Sequence, residues 1–208
     1  MQTTRTDPPY VPLRRSGWPT RRAPRWAIGA GALLLAAAIA VGLSHRPTTG
    51  QRATDFRSLL RQLNTDIESC SGGVRESLFV LHRIDAGTST DLKTAVNVAN
   101  TASANCSPAN NELLDDLTTV QAPESLASYH LQAAVTALID WSAPHAGQVA
   151  ADVATVLADR GQPAETADRA ALRVALRKLD AQRAVVYAAL EPAIRSLSPA
   201  SAPPTLYG

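Results

Sequence analysis

The chain has 208 residues, 20 Lys or Arg against 18 Asp or Glu, a net charge of +2 and an aromatic content of only 4%. That near balance conceals two oppositely charged parts. Arg5, Arg14, Arg15, Arg21, Arg22 and Arg25 face only Asp7 in the first 25 residues, while the remainder is net acidic. The basic part has no groove-reading element beside it, which excludes a nucleic-acid partner as the reading of the charge.

Residues 1–25, rich in Pro, Thr and Arg, cannot bury a core and read as a disordered basic cytoplasmic tail. Residues 26–43, WAIGAGALLLAAAIAVGL, carry no charge. As a helix they span roughly 27 Å at about 1.5 Å per residue, against a hydrocarbon core about 30 Å thick. The sequence therefore predicts a transmembrane signal anchor in contact with membrane lipid. The arginine-rich flank holds the N-terminus in the cytoplasm and sends the following chain outward. Trp18 and Trp26 suit the headgroup region. The small-x-small triplet Ala38-Ile39-Ala40 offers an alternative: cleavage near Ala40 and a secreted product. Gly29, Ala32, Ala36 and Ala40 share a helix face, the pattern of a dimer seam.

Residues 44–50, SHRPTTG, read as a linker, and a helical domain over 51–197 follows. Phe56, Leu60, Leu63, Ile67, Cys70, Val74, Leu78 and Leu81 recur at threes and fours, one buried stripe of a first helix. Gly72-Gly73 is expected to kink or interrupt it, and Gly87 to end it. Ser89 or Thr90 caps the second helix, which carries Leu92, Val96, Ala99, Ser103, Cys106, Leu113, Leu117 and Val120. Ser107-Pro108 is a stop and restart signal near Cys106. A third helix starts near Pro123-Glu124, carries Leu126, Tyr129, Ala133, Ala137, Trp141, Val149 and Val153, and is bent or broken at Pro144. A fourth runs from about Pro163 with Leu172, Leu176, Leu179, Arg183, Val186 and Leu190 on one seam, and Pro192 ends or kinks it. Residues 198–208 read as a disordered Pro-rich tail. The fold class is all-α: one N-terminal transmembrane helix, then an extracytoplasmic up-down-up-down four-helix bundle.

Cys70 and Cys106 are each eighteen residues from Thr88, which sits in the turn between the first two helices. In an antiparallel hairpin, equal arms bring them face to face, and the exported side of a membrane is oxidising. A Cys70–Cys106 disulfide is predicted, worth roughly 3 to 4 kcal/mol on the chain-entropy account.

Catalytic chemistry is thin. His45, His82, His130 and His145 are scattered, with no HExxH, no ExxH pair and no CxxCH, so no metal and no cofactor are predicted. There is no GxSxG, Walker loop or GxGxxG. His82 and Asp85 read as a solvated helical pair. One constellation points to a ligand pocket. Arg183 lies opposite Trp141 in a hairpin turning near Gln162, and with His145 these residues would line a small anion-accepting cavity.

The plan of tail, single span and exported helices resembles the sensor half of bacterial chemoreceptors and sensor kinases. Those return through a second span to a signalling module, and this sequence shows no second span. Exported all-helical chorismate mutases are similar in being disulfide-containing helical proteins. That resemblance implies an arginine, lysine and glutamate site, which no motif in the sequence places. The expected role is a binding or scaffold domain in the cell envelope, not an enzyme, with a protein partner or a second copy as its occupant. A small-ligand sensor acting with a membrane partner is the alternative.

Overall fold

The computed structural model describes residues 47–107 and 111–207. The expected tail, span and cleavage site therefore lie outside the described residues, as does Pro108. No described helix is long and apolar enough to cross a membrane. The described chain is all-helical, without a strand.

Helix α1 covers Thr49–Asp85. It begins two residues earlier than the linker reading allowed, because the Thr48 side chain accepts from Gln51 N–H at 3.1 Å and caps the first turn. Phe56, Leu60, Leu63, Ile67, Cys70, Val74 and Leu81 are its buried stripe. It closes as the spacing predicts. Gly87 sits at φ 69°, Thr88 N–H returns to Arg83 C=O and Gly87 N–H to Ile84 C=O, a left-handed glycine cap.

The expected break at Gly72-Gly73 does not occur; α1 is continuous. A Cβ on Gly73 would lie 3.1 Å from both Cα and Cβ of Ala102, so this glycine admits a neighbouring backbone. The helical cost of about 1 kcal/mol for such a glycine is offset by close packing. That neighbour is α2, Leu92–Asn105, whose buried face is Ala95, Ala99 and Ala102. Its cap is Asp91, accepting from Thr94 N–H at 3.0 Å, rather than Ser89 or Thr90. The helix stops at Cys106, and α3 follows over Asn111–Thr119 with Leu113 and Leu117 buried.

The expected third helix is three pieces. A 3-10 turn over Glu124–Tyr129 ends at His130, which adopts a left-handed φ of 51°. Helix α4, Gln132–Trp141, then passes through a π turn, Ser142–Ala146, into α5, Gly147–Ala158. Pro144 lies in that π turn. A proline removes an amide donor and crowds the carbonyl four residues back, and the wider turn absorbs it without breaking the path. Helix α6, Glu165–Leu197, likewise runs through Pro192 instead of ending there. Leu190, Ala193 and Leu197 are buried on both sides of that proline and hold the last turns in place.

The directions of these limbs follow from their end contacts. At one end Ser125 Oγ donates to Asp55 at 2.5 Å and Tyr129 meets Ser196 at 2.8 Å. At the other, Arg160 and Arg169 both reach Asp85. Helix α1 and the limb of α4 and α5 therefore run in one sense and α6 in the other, around one core with Trp141, Phe56, Leu63, Leu138 and Leu179 among its fully buried side chains.

Residues 198–207 are not a free tail. They turn back from α6 along α1, where Pro204 is buried and Leu206 is 5% exposed and joins the core.

Candidate functional site

The predicted disulfide is present. Cys70 and Cys106 are bridged with Cα atoms 4.8 Å apart, and both are fully buried. Beside it, a Cβ on Gly147 would be 3.4 Å from that of Cys106, so the bridge lies where α1, α2 and the start of α5 converge.

The expected pocket of Trp141, His145 and Arg183 is not assembled. Trp141 is wholly buried in the core. Arg183 is about a quarter exposed and pairs with Asp180 on its own helix at 3.2 Å. It is Gln182 that reaches across, donating to Ala137 C=O at 3.1 Å. At this level the register of α4 on α6 differs from the one that equal arms about Gln162 would give, while Tyr129 and Ser196 at the far end keep it. Only His145 keeps a place in a concave site. It lines a groove of about 430 Å³ between the π turn, α5 and α6. Pro144, Val174 and Ala175 supply its apolar wall; His145, Gln148, Asp152 and Lys178 supply its polar rim. Gln148 Nε2 donates to Asp152 at 2.6 Å, which pre-orients that carboxylate. Val174, 41% exposed, is an apolar surface at the mouth.

A second polar cluster joins the ends of three elements. Arg169 forks onto both oxygens of Asp85 at 2.7 and 2.9 Å, and Arg160 adds a bond to Asp85 and another to Ile84 C=O. Glu165 accepts from Arg169 and from Gly161 N–H at 2.7 Å, with Gly161 at φ 75°. Hydrogen bonds from Arg169, then from Arg160, hold the Asp85 carboxyl below its ordinary range, and Gly161 N–H followed by Arg169 does the same for Glu165. These contacts leave Asp85 no part in a dyad with His82, which is exposed. Each of the four charged side chains has an oppositely charged partner within the cluster, which acts as a clasp. Sequence reasoning missed Arg160 and Arg169. The Glu165 and Arg169 spacing was readable as a helical pair, but nothing local linked either to Asp85.

Two carboxyls are shifted upward. Asp66 is raised by burial and then by Asp116, and Asp168 by burial and then by Asp159. One oxygen of each is buried without a hydrogen-bond partner. Among the described residues no group of three or more His, Cys, Asp or Glu is arranged to hold a metal ion.

The fold and these sites define the described chain as a disulfide-braced, all-helical domain. No family model matches the chain, and no curated protein or solved structure gives a significant match.

Proposed function

We propose that this is a single-pass membrane protein whose domain, an up-down-up-down four-helix bundle, stands outside the membrane and acts by binding. The span is residues 26–43, with the basic N-terminal residues in the cytoplasm. The Cys70–Cys106 bridge supports the outward placement, because a buried structural disulfide belongs to an oxidising compartment. The observation that carries the binding role is the groove beside the π turn. It combines an apolar wall with His145, Lys178 and Asp152 on one rim, and π turns recur at functional sites.

The occupant on this reading is a protein partner in the cell envelope, with an apolar side chain against Val174 and a charged one against Lys178. A small ligand is the second reading, favoured by the groove's volume of about 430 Å³, within the range of small-molecule sites. Native mass spectrometry of the full-length protein, extracted gently from membranes, tests both. A bound mass that is retained by the unmodified chain and lost in Lys178→Glu supports the groove, and its size separates protein from small ligand. A bound mass indifferent to Lys178→Glu and to Val174→Asp would rule the groove out. Free thiols at Cys70 and Cys106 in unreduced protein would remove the outward placement.

A further inference from the structure

Residues 203–207 are seated between α1 and α6 with a tight turn at Thr205, where Leu206 N–H donates to Pro204 C=O at 2.9 Å. Thr205 has both backbone groups taken by side chains of α1: Asn64 Oδ1 accepts from its N–H at 3.1 Å, and Ser71 Oγ donates to its C=O at 2.8 Å. Asn64 and Ser71 are seven residues apart, two helical turns on one face, about 10 Å along the axis. From α6, Tyr187 donates to Pro204 C=O at 3.1 Å. Leu206 is the anchor, 5% exposed, and Ser71 itself is only 8% exposed. Pro203 and Pro204 carry no N–H, so burying them strands no donor, and their fixed φ lowers the ordering cost. Main-chain bonds for affinity and a side-chain socket for specificity are elements by which protein grooves hold peptides.

At Thr205 the seat adjoins a cleft of about 380 Å³ along α1, bordered by Arg61, Glu68, Gly72 and Arg75. Two arginines there suit acidic residues flanking a ligand.

We infer that the α1–α6 groove is a peptide-binding site for a Pro-x-Leu-aromatic segment of a partner protein, turned as Pro204–Leu206 is, and held by residues 203–207 as a built-in competitor. The short connection from α6 gives the tethered segment a high effective concentration, so a partner binds by displacing it. This site is separate from the groove at His145 and does not depend on it.

The test uses the full chain and a fluorescent peptide with the sequence of residues 201–207. In Leu206→Asp, which ejects the built-in segment, the peptide should bind saturably. It should bind at least tenfold more weakly to the unmodified chain, and at least tenfold more weakly to Leu206→Asp carrying Asn64→Leu. Absence of saturable binding to a Leu206→Asp chain that keeps its helical circular dichroism overturns the inference, as does binding indifferent to Asn64→Leu. Should Leu206→Asp fail to fold, hydrogen exchange on the isotope-labelled unmodified chain decides. Excess unlabelled peptide should speed exchange of the Thr205 amide at least tenfold; an unchanged rate makes the segment a permanent plug.

Discussion

Helix α1 borders two seams that are closed by opposite means. Against α2 the closure is direct. Gly73 meets the backbone of Ala102, three alanines form the facing surface, and the Cys70–Cys106 bridge pins the register. Against α6 the gap is filled by inserted chain, with Leu206 as wedge and the Asn64, Ser71 and Tyr187 hydrogen bonds as fasteners. Small residues let helices approach until their backbones touch, whereas larger side chains hold them apart and leave a channel that something else must occupy. The first seam is a permanent joint. The second is closed by groups that water or another peptide can replace.

Breaking the covalent joint should have the largest effect. Cys70→Ala removes a bridge spanning 36 residues of sequence, and the chain-entropy account sets the loss near 4 kcal/mol. Denaturant unfolding of oxidised protein should show the drop, and reducing agent should produce the same midpoint in the unmodified chain. A midpoint unmoved by either would mean that the seam holds through packing alone.

Gly73→Val isolates the packing contribution with the bridge kept. Its new Cβ would stand 3.1 Å from the Ala102 Cα, which is backbone and cannot rotate away. Overpacking of this kind costs about 1 to 3 kcal/mol. Gly72→Ala is the control, since a Cβ there meets nothing within 4 Å and helix propensity favours alanine. Thermal melts of the pair should therefore shift in opposite directions.

The smallest effect belongs to the clasp at the end of α1. Asp85 has a folded-state value below its unfolded one, so its contribution is fully present above about pH 4 and fades as pH falls through the folded value. Asp85 is about a third exposed, and after solvent screening Asp85→Asn should cost about 1 kcal/mol at neutral pH. The difference from the unmodified chain should shrink progressively as pH falls below about 4. Asp66 acts in the opposite sense. Its value is raised, so it adds stability at low pH that is lost as pH rises through that raised value. Urea midpoints from pH 3 to 7 should thus fall at acid pH less steeply in Asp85→Asn than in the unmodified chain.

Much of the helical frame was legible from residue spacing. The stripe on α1, its end at Gly87 and the break near Cys106 all follow from local signals. The disulfide was legible as well, because counting eighteen residues either way from Thr88 needs only a turn and two regular helices. The same counting failed for Trp141 and Arg183. It assumed a uniform limb, whereas this one is a 3-10 turn, a helix, a π turn and a second helix in series. His145 was singled out for its place near that bend and does line a groove, but with Lys178 and Asp152 as companions.

The sequence by itself determined which segments are helical, where their apolar faces run and which cysteines meet, because these depend on periodicity and short-range caps. Only the tertiary structure decided that Gly73 is a point of contact rather than a break, and that Asp85 gathers Arg160 and Arg169. It also decided that Pro144 is absorbed in a wide turn and that residues 203–207 are seated on Asn64 and Ser71. Each of those outcomes turns on whether another element lies within a few ångströms, and proximity between residues far apart in sequence is a property of packing, not of local pattern.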